Sequence, residues 1–214
     1  LSSSSAASDV YKRQDIAIAL NNSLNDAGLR QVPVESVKEM IGNGIPVLVR
    51  RALFHIEAPE DLAADVVTSM LAYSRKYYCE KSSLMHGVKD CLEGLKKRGI
   101  PMSICTNKDE TVAQMVVSAL DLNSYFYAIV GSRPNLVKKP DPSMLQIAAE
   151  AINSPMETTM MIGDSEVDAA TGIAASSISV IVRGGYCHKP YEVLNVTHLL
   201  DSICLLYTSP SPRD

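Results

Sequence analysis

From Val88 onward, short apolar runs alternate with stretches whose apolar residues recur every three or four positions. The runs predict strands at 100–105, 125–130, 159–162 and 178–182. The periodic stretches predict helices at 88–98, 110–120, 141–152 and 166–175. Strands joined through helices of about ten residues or more make βαβ units and a parallel sheet. Such a sheet carries helices on both faces, and its reactive groups gather at the carboxyl ends of its strands. The chain before Val88 reads differently. Ile16, Leu20, Leu24 and Ala27 are spaced four, four and three apart, one face of a helix over 15–30. Further helices are expected at 34–41, 46–54 and 59–80, the last with Leu62, Val66, Met70 and Tyr73 or Tyr77 on one side. Nothing from 15 to 80 alternates as a strand does. The expected fold is therefore α/β: a Rossmann-like, doubly wound parallel sheet joined to a small helical bundle.

Composition removes several function classes. The 214 residues are 46% hydrophobic and 21% charged, which is globular usage rather than that of a disordered or collagen-like chain. No apolar run approaches the ~18 residues that span a bilayer, so no membrane partner is expected. The net charge of −4 makes nucleic acid a poor partner, because phosphate backbones call for basic surface. The five cysteines are odd in number and form no CxxC pair, which favours neither a disulfide framework nor a zinc site. Reduced thiols in a cytoplasmic protein is the simpler expectation.

Residues 1–14 and 205–214 stand apart. LSSSSAASDVYKRQ and LLYTSPSPRD fit no helix or strand template, and the first has no signal-peptide h-region. Both strings resemble translated sequencing-adapter read-through. The expected division is an extraneous stretch at 1–14, a helical subdomain at 15–82, an α/β core at 83–204 and an extraneous tail at 205–214.

Chemistry-bearing residues stand at the strand ends. The first expected strand ends in Cys105-Thr106-Asn107-Lys108. The third ends in Gly163-Asp164-Ser165, with Asp168 four positions past Asp164, so both carboxylates open one helix. Between them lies Val137-Lys138-Lys139-Pro140-Asp141-Pro142, where two prolines stiffen the backbone around a lysine. Singly, these residues have plainer roles: Thr106 as a helix cap, Lys139 as a surface lysine, Asp164 and Asp168 as helix-start charges. Together they suit a phosphate and a divalent cation. The hydroxyl and backbone N–H groups bond phosphate oxygens, the lysine offsets charge, and the carboxylates hold Mg²⁺, which prefers oxygen ligands.

SICTNK, VKKPDP and MIGDSEVD resemble the second, third and fourth motifs of the haloacid dehalogenase-like hydrolases. The helical block resembles that superfamily's cap, and Ile41-Gly42-Asn43-Gly44 followed by LVRRAL resembles the cap of phosphoglycolate phosphatases. The resemblance implies a Mg²⁺-dependent phosphatase of a small phosphorylated metabolite, 2-phosphoglycolate first, acting through an aspartyl-phosphate. It implies that Thr106 and the backbone of Asn107 bind the phosphoryl group and that Lys139 stabilises its charge. It further implies that Asp164 ligates Mg²⁺ and that Asp168 supports the metal shell or orients Lys139. Gly42, Asn43 and Gly44 would close over the substrate, and Arg50 or Arg51 would meet its carboxylate.

One motif of that family is missing. A strand ending in Asp-x-Asp-Gly should precede the cap, and none does; Asp9 has neither an apolar run before it nor an Asp two residues on. The expectation is that the parent protein is a phosphatase, whereas this string lacks the nucleophile and a central strand and is inactive. Competing expectations are a sugar-phosphate phosphatase or phosphomutase of the same superfamily, a phosphate-accepting receiver domain, and a non-catalytic phosphate-binding pseudo-enzyme. The helical block argues against the receiver domain.

Overall fold

A computed structural model describes residues 9–41, 44–76, 84, 87–185 and 187–208. They divide into two compact units, one within residues 8–83 and one from Leu84 onward.

The first unit is helical: α1 (Asp9–Asp26), α2 (Val34–Met40), α3 (Ile45–His55) and α4 (Ala63–Lys76). Helix α1 packs on α4 and α2, and α3 packs on α4 and α2. Leu20, Leu24, Val37, Val49, Leu53, Val66 and Met70 are buried. Leu20, Leu24, Val66 and Met70 are among the positions that the three-to-four spacing singled out, since such spacing puts apolar groups on one stripe of a helix, whereas Ile16, Ala27, Leu62 and Tyr73 are only half-buried. Helix α1 starts at Asp9, six residues before the expected position 15. No Gly or Pro interrupts the segment from Asp9 to Asp26, so the helix continues into part of the stretch expected to lie outside the fold.

The second unit holds β1 (Ser103–Asp109), β2 (Ala128–Ser132), β3 (Met160–Gly163), β4 (Ile178–Val182) and β5 (His198–Leu200). Its helices are α5 (Val88–Lys97), α6 (Glu110–Ala119), α7 (Ser143–Glu150), α8 (Glu166–Ala174) and α9 (Leu205–Thr208). Among the described residues these strands pair in parallel, in two sheets ordered β1-β2 and β3-β4-β5. Among the described residues, no strand pairs with the inner edge of β1 or of β3. The two sheets nevertheless share a core: Cys105 of β1, Val130 of β2 and Met161 of β3 join Met144, Leu145 and Ala148 of α7 in one buried cluster. On the other face, Ile104 joins Val88, Leu92, Leu95 and Val117 from α5 and α6. Adjacent residues of β1 thus face opposite layers, as a strand's period of two requires.

Several boundaries depart from expectation, among them the helix expected from 59, which starts at Ala63 after a 3-10 turn, and the one expected over 141–152, which spans Ser143–Glu150. Strand β1 begins at Ser103 rather than at 100, after Pro101, which cannot donate to a ladder. It also runs on through Thr106, Asn107 and Lys108 instead of ending before them. Strand β2 begins at Ala128, because Asn123–Tyr125 forms a 3-10 turn. Strand β5 was not expected; three residues are too few to show alternation, and β4 is not the last strand.

Candidate active site

The site is built where β1 loses register. Cys105 pairs with Val130 and Asp109 with Ser132, so β1 carries two more residues than β2 across this interval. A bulge of this kind re-aims side chains. Thr106, buried at 4% exposure, accepts a hydrogen bond at Oγ1 from the Lys108 N–H at 3.2 Å. The next residue turns its carboxamide onto a segment 32 positions away. Asn107 Nδ2 donates to the Lys139 carbonyl and its Oδ1 accepts from the Lys139 N–H, both at 2.9 Å. Cap duty for α6 falls instead to Asp109, whose carboxylate accepts from the Val112 N–H at 3.1 Å.

Of the two adjacent lysines, Lys139 is the buried one, at 6% exposure. Its Nζ donates to the Cys105 carbonyl at 3.0 Å and to Asp168 Oδ1 at 2.6 Å. Burial alone would lower the lysine's pKa; the charges of Asp168, Cys105 and Asp164 and the bond to Asp168 outweigh it and raise it. Asp168 shows the same contest. Burial pushes its carboxyl up, but the Lys139 charge and bond, Ser165 and the Asp164 N–H hold it down at about 2. The pair is therefore ionic at neutral pH.

The turn from β3 into α8 is tied together by the same carboxylate. Asp168 Oδ2 accepts from the Asp164 N–H at 3.2 Å, the Ser165 N–H at 3.3 Å and the Ser165 hydroxyl at 2.7 Å. The Ser165 oxygen in turn accepts from the Asp168 N–H, completing a capping box. Gly163 is required here, because a Cβ on it would lie 2.2 Å from the Asp168 Cβ.

Asp164 is 2% exposed, and its charge acts on Lys139. The loop after β4 lies against it: a Cβ on Gly185 would meet Asp164 Oδ2 at 2.3 Å. Asp164 is thus the acid in this cleft with the chemistry of a metal ligand. Mg²⁺ demands near-octahedral oxygen coordination. Asp168 is spent on Lys139 and the turn, and among the described residues no three His, Cys, Asp or Glu side chains group as a metal cluster. These residues alone therefore do not make a resident magnesium site.

Asn107, Lys139, Asp164 and Asp168 are thus linked across the ends of β1 and β3, and Thr106 follows the Cys105 carbonyl that the Lys139 ammonium holds. Asp168 orients Lys139. The Asn107 side chain grips the Lys139 backbone, a task that the sequence did not suggest. Ser165, the Cys105 carbonyl and Gly185 were also missed; only the Ser-x-x-Asp spacing of Ser165 and Asp168 carried a signal. In the helical unit, Gly44 precedes α3 at φ +85°, a conformation that favours glycine. Arg50 is exposed on α3, 3.7 Å from a Glu60 carboxylate oxygen, and Arg51 donates to the Met40 carbonyl at 3.2 Å. Gly42 and Asn43 lie outside the described residues.

A family model described as haloacid dehalogenase-like hydrolase matches residues 1–176. A phosphoglycolate phosphatase of Pseudomonas fluorescens (strain Pf0-1) is 32% identical over 195 residues, 88% of this chain and 71% of the relative. One from Cereibacter sphaeroides is 32% identical over 187 residues, 86% of this chain and 85% of the relative. The chain belongs to the haloacid dehalogenase-like hydrolases. A crystal structure described as a predicted phosphoglycolate phosphatase from Haemophilus somnus 129PT shares the fold of this hydrolase. It has a TM-score of 0.83 and 24% identity, and covers 92% of this chain and 91% of that one. CbbY from Rhodobacter sphaeroides, solved with phosphate, matches at a TM-score of 0.78 and 18% identity over 95% of this chain and 92% of its own. The hydrolase is thus a phosphatase by family, with a Rossmann-like core and a helical cap.

Proposed function

We propose that the parent of this chain is a Mg²⁺-dependent phosphatase of a small phosphorylated metabolite, 2-phosphoglycolate first, and that the 214-residue chain itself binds phosphate without turning it over. The observation that carries this reading is the buried Lys139 ammonium, 3.0 Å from the β1 carbonyl that precedes Thr106 and 2.6 Å from Asp168. A lysine held there stabilises the charge of a phosphoryl group whose oxygens Thr106 and the Asn107 backbone bond. The substrate is taken from the relatives named phosphoglycolate phosphatase. In the helical unit, Gly42, Asn43, Gly44 and Arg50 are the proposed substrate-recognition residues, with Arg50 suited to a carboxylate. The proposed setting is cytoplasmic; among the described residues no helix is long and apolar enough to cross a membrane.

The proposed inactivity of this chain rests on the sequence of these 214 residues. It holds no Asp-x-Asp-Gly strand to supply a carboxylate nucleophile, so no aspartyl-phosphate can split the displacement into two easier steps. That among the described residues no strand pairs with β1 opposite β2 or with β3 opposite β4 supports the reading of a further strand. Magnesium would supply Lewis-acid polarisation of a phosphoryl oxygen, and Asp164 would contribute one ligand beside carboxylates from that strand.

The test is to extend the chain upstream with its native coding sequence and to measure Mg²⁺-dependent phosphate release from 2-phosphoglycolate. Release from the extended chain and none from the 214-residue chain is the expected result. No release from the extended chain defeats the substrate assignment, and an extended Asp164→Asn protein at full rate defeats the metal role.

A further inference from the structure

We propose that Asn107 is a positioning residue for the anion site, its carboxamide fixing the Lys139 peptide so that the ammonium is delivered between Cys105 and Asp168. The inference rests on the phosphate-binding reading above for what the ammonium does, but not for how it is placed.

The geometry is that of a two-point clamp. One carboxamide satisfies both the N–H and the C=O of one residue, at 2.9 Å each. Only one orientation of the amide does this, since the Lys139 N–H needs an acceptor and its carbonyl a donor. A lysine has a flexible four-carbon stem, and ordering such a stem costs rotamer freedom. Here its root is clamped by Asn107 and its tip by Cys105 and Asp168, so the ammonium has one place to be. The clamp stands in the interval where β1 departs from the β2 register, which turns the carboxamide toward residue 139.

The helical unit offers a control built on the same chemistry. Asn21 Nδ2 donates to the Val32 carbonyl at 2.9 Å, and Asn21 Oδ1 accepts from the Val32 N–H at 2.8 Å. That clamp holds an apolar residue and carries no charge to deliver. An Asn→Asp change keeps the size at either place but turns the donor into an acceptor facing a carbonyl.

The experiment uses the full 214-residue chain, with inorganic phosphate as the probe in calorimetric titration and the Lys139 ¹⁵Nζ resonance as the second readout. Asn107→Asp is expected to bind phosphate about tenfold more weakly than wild type, the scale of one lost hydrogen bond, and to shift or lose the protected Nζ resonance. Asn21→Asp is expected to lower the unfolding midpoint and to leave both readouts at wild-type values. If Asn107→Asp also lowers only the midpoint, the clamp is merely structural and the proposal is overturned. If Asn107→Asp does not fold, Asn107→Ser, which keeps a short donor and acceptor, is compared in the same way. Should wild type itself bind no phosphate, the functional reading fails, while the Nζ resonance still decides whether Asn107 places the ammonium.

Discussion

Lys139 and Asp168 are each almost wholly buried, so either one left alone would be an uncompensated charge in the core. Lys139→Met should therefore lose about 3–5 kcal/mol, the scale for breaking a buried pair from one side; urea unfolding checks it. Acid should weaken the same pair in a defined window. Asp168 is held at about 2 in the folded chain, against about 3.9 for an unfolded aspartate. A carboxyl depressed in this way stabilises the fold above the unfolded value, and that stabilisation disappears as pH falls from about 4 toward 2. It amounts to about 2–3 kcal/mol. Urea midpoints measured from pH 5 to pH 2 should show this loss, and Asp168→Asn should flatten it. Lys139 has the opposite sign: its raised pKa keeps its contribution whole at neutral pH and removes it only at strongly alkaline pH.

At the scale of elements, the capping box that starts α8 makes a local prediction. Ser165→Ala removes the oxygen that accepts from Asp168 N–H and the hydroxyl that donates to Asp168 Oδ2. It should cost about 1 kcal/mol, the usual value of a cap, as a lower urea midpoint at unchanged slope. Strand β2 is more tightly constrained against α6. A Cβ on Gly131 would lie 2.3 Å from the Glu110 Cα, and the Glu110 carboxylate already accepts from the Gly131 N–H at 3.0 Å. Gly131→Ala should cost about 1–3 kcal/mol, as overpacking does, with the same measurement. The helices here were readable from apolar spacing and flanking prolines, because both act over a few residues. The span of β1 was not. Thr106, Asn107 and Lys108 read as a polar loop, and only the pairs on either side of them, Cys105 with Val130 and Asp109 with Ser132, make them part of a strand.

For the whole molecule, the proposed further strand leads to a thermal prediction, since among the described residues no strand pairs with β1 opposite β2 or with β3 opposite β4. Unpaired edge groups and an incompletely covered core lower stability. The 214-residue chain should melt below the roughly 45–65 °C usual for mesophilic domains, and an upstream extension that adds a strand should raise the midpoint. A sharp, high-temperature transition of the unextended chain in scanning calorimetry would defeat the missing-strand reading.

The sequence alone determined the alternation of strands and helices, the all-helical block before Val88, and the residue types at the strand ends, because periodicity and turn chemistry are local properties. Only the tertiary structure decided that the strands form two sheets rather than one, that Lys139 and not Lys138 is buried, and that Asn107 clamps the lysine root while Asp168 holds its tip. These outcomes depend on contacts between residues about 30 positions apart, and no local pattern encodes which distant groups share one buried volume.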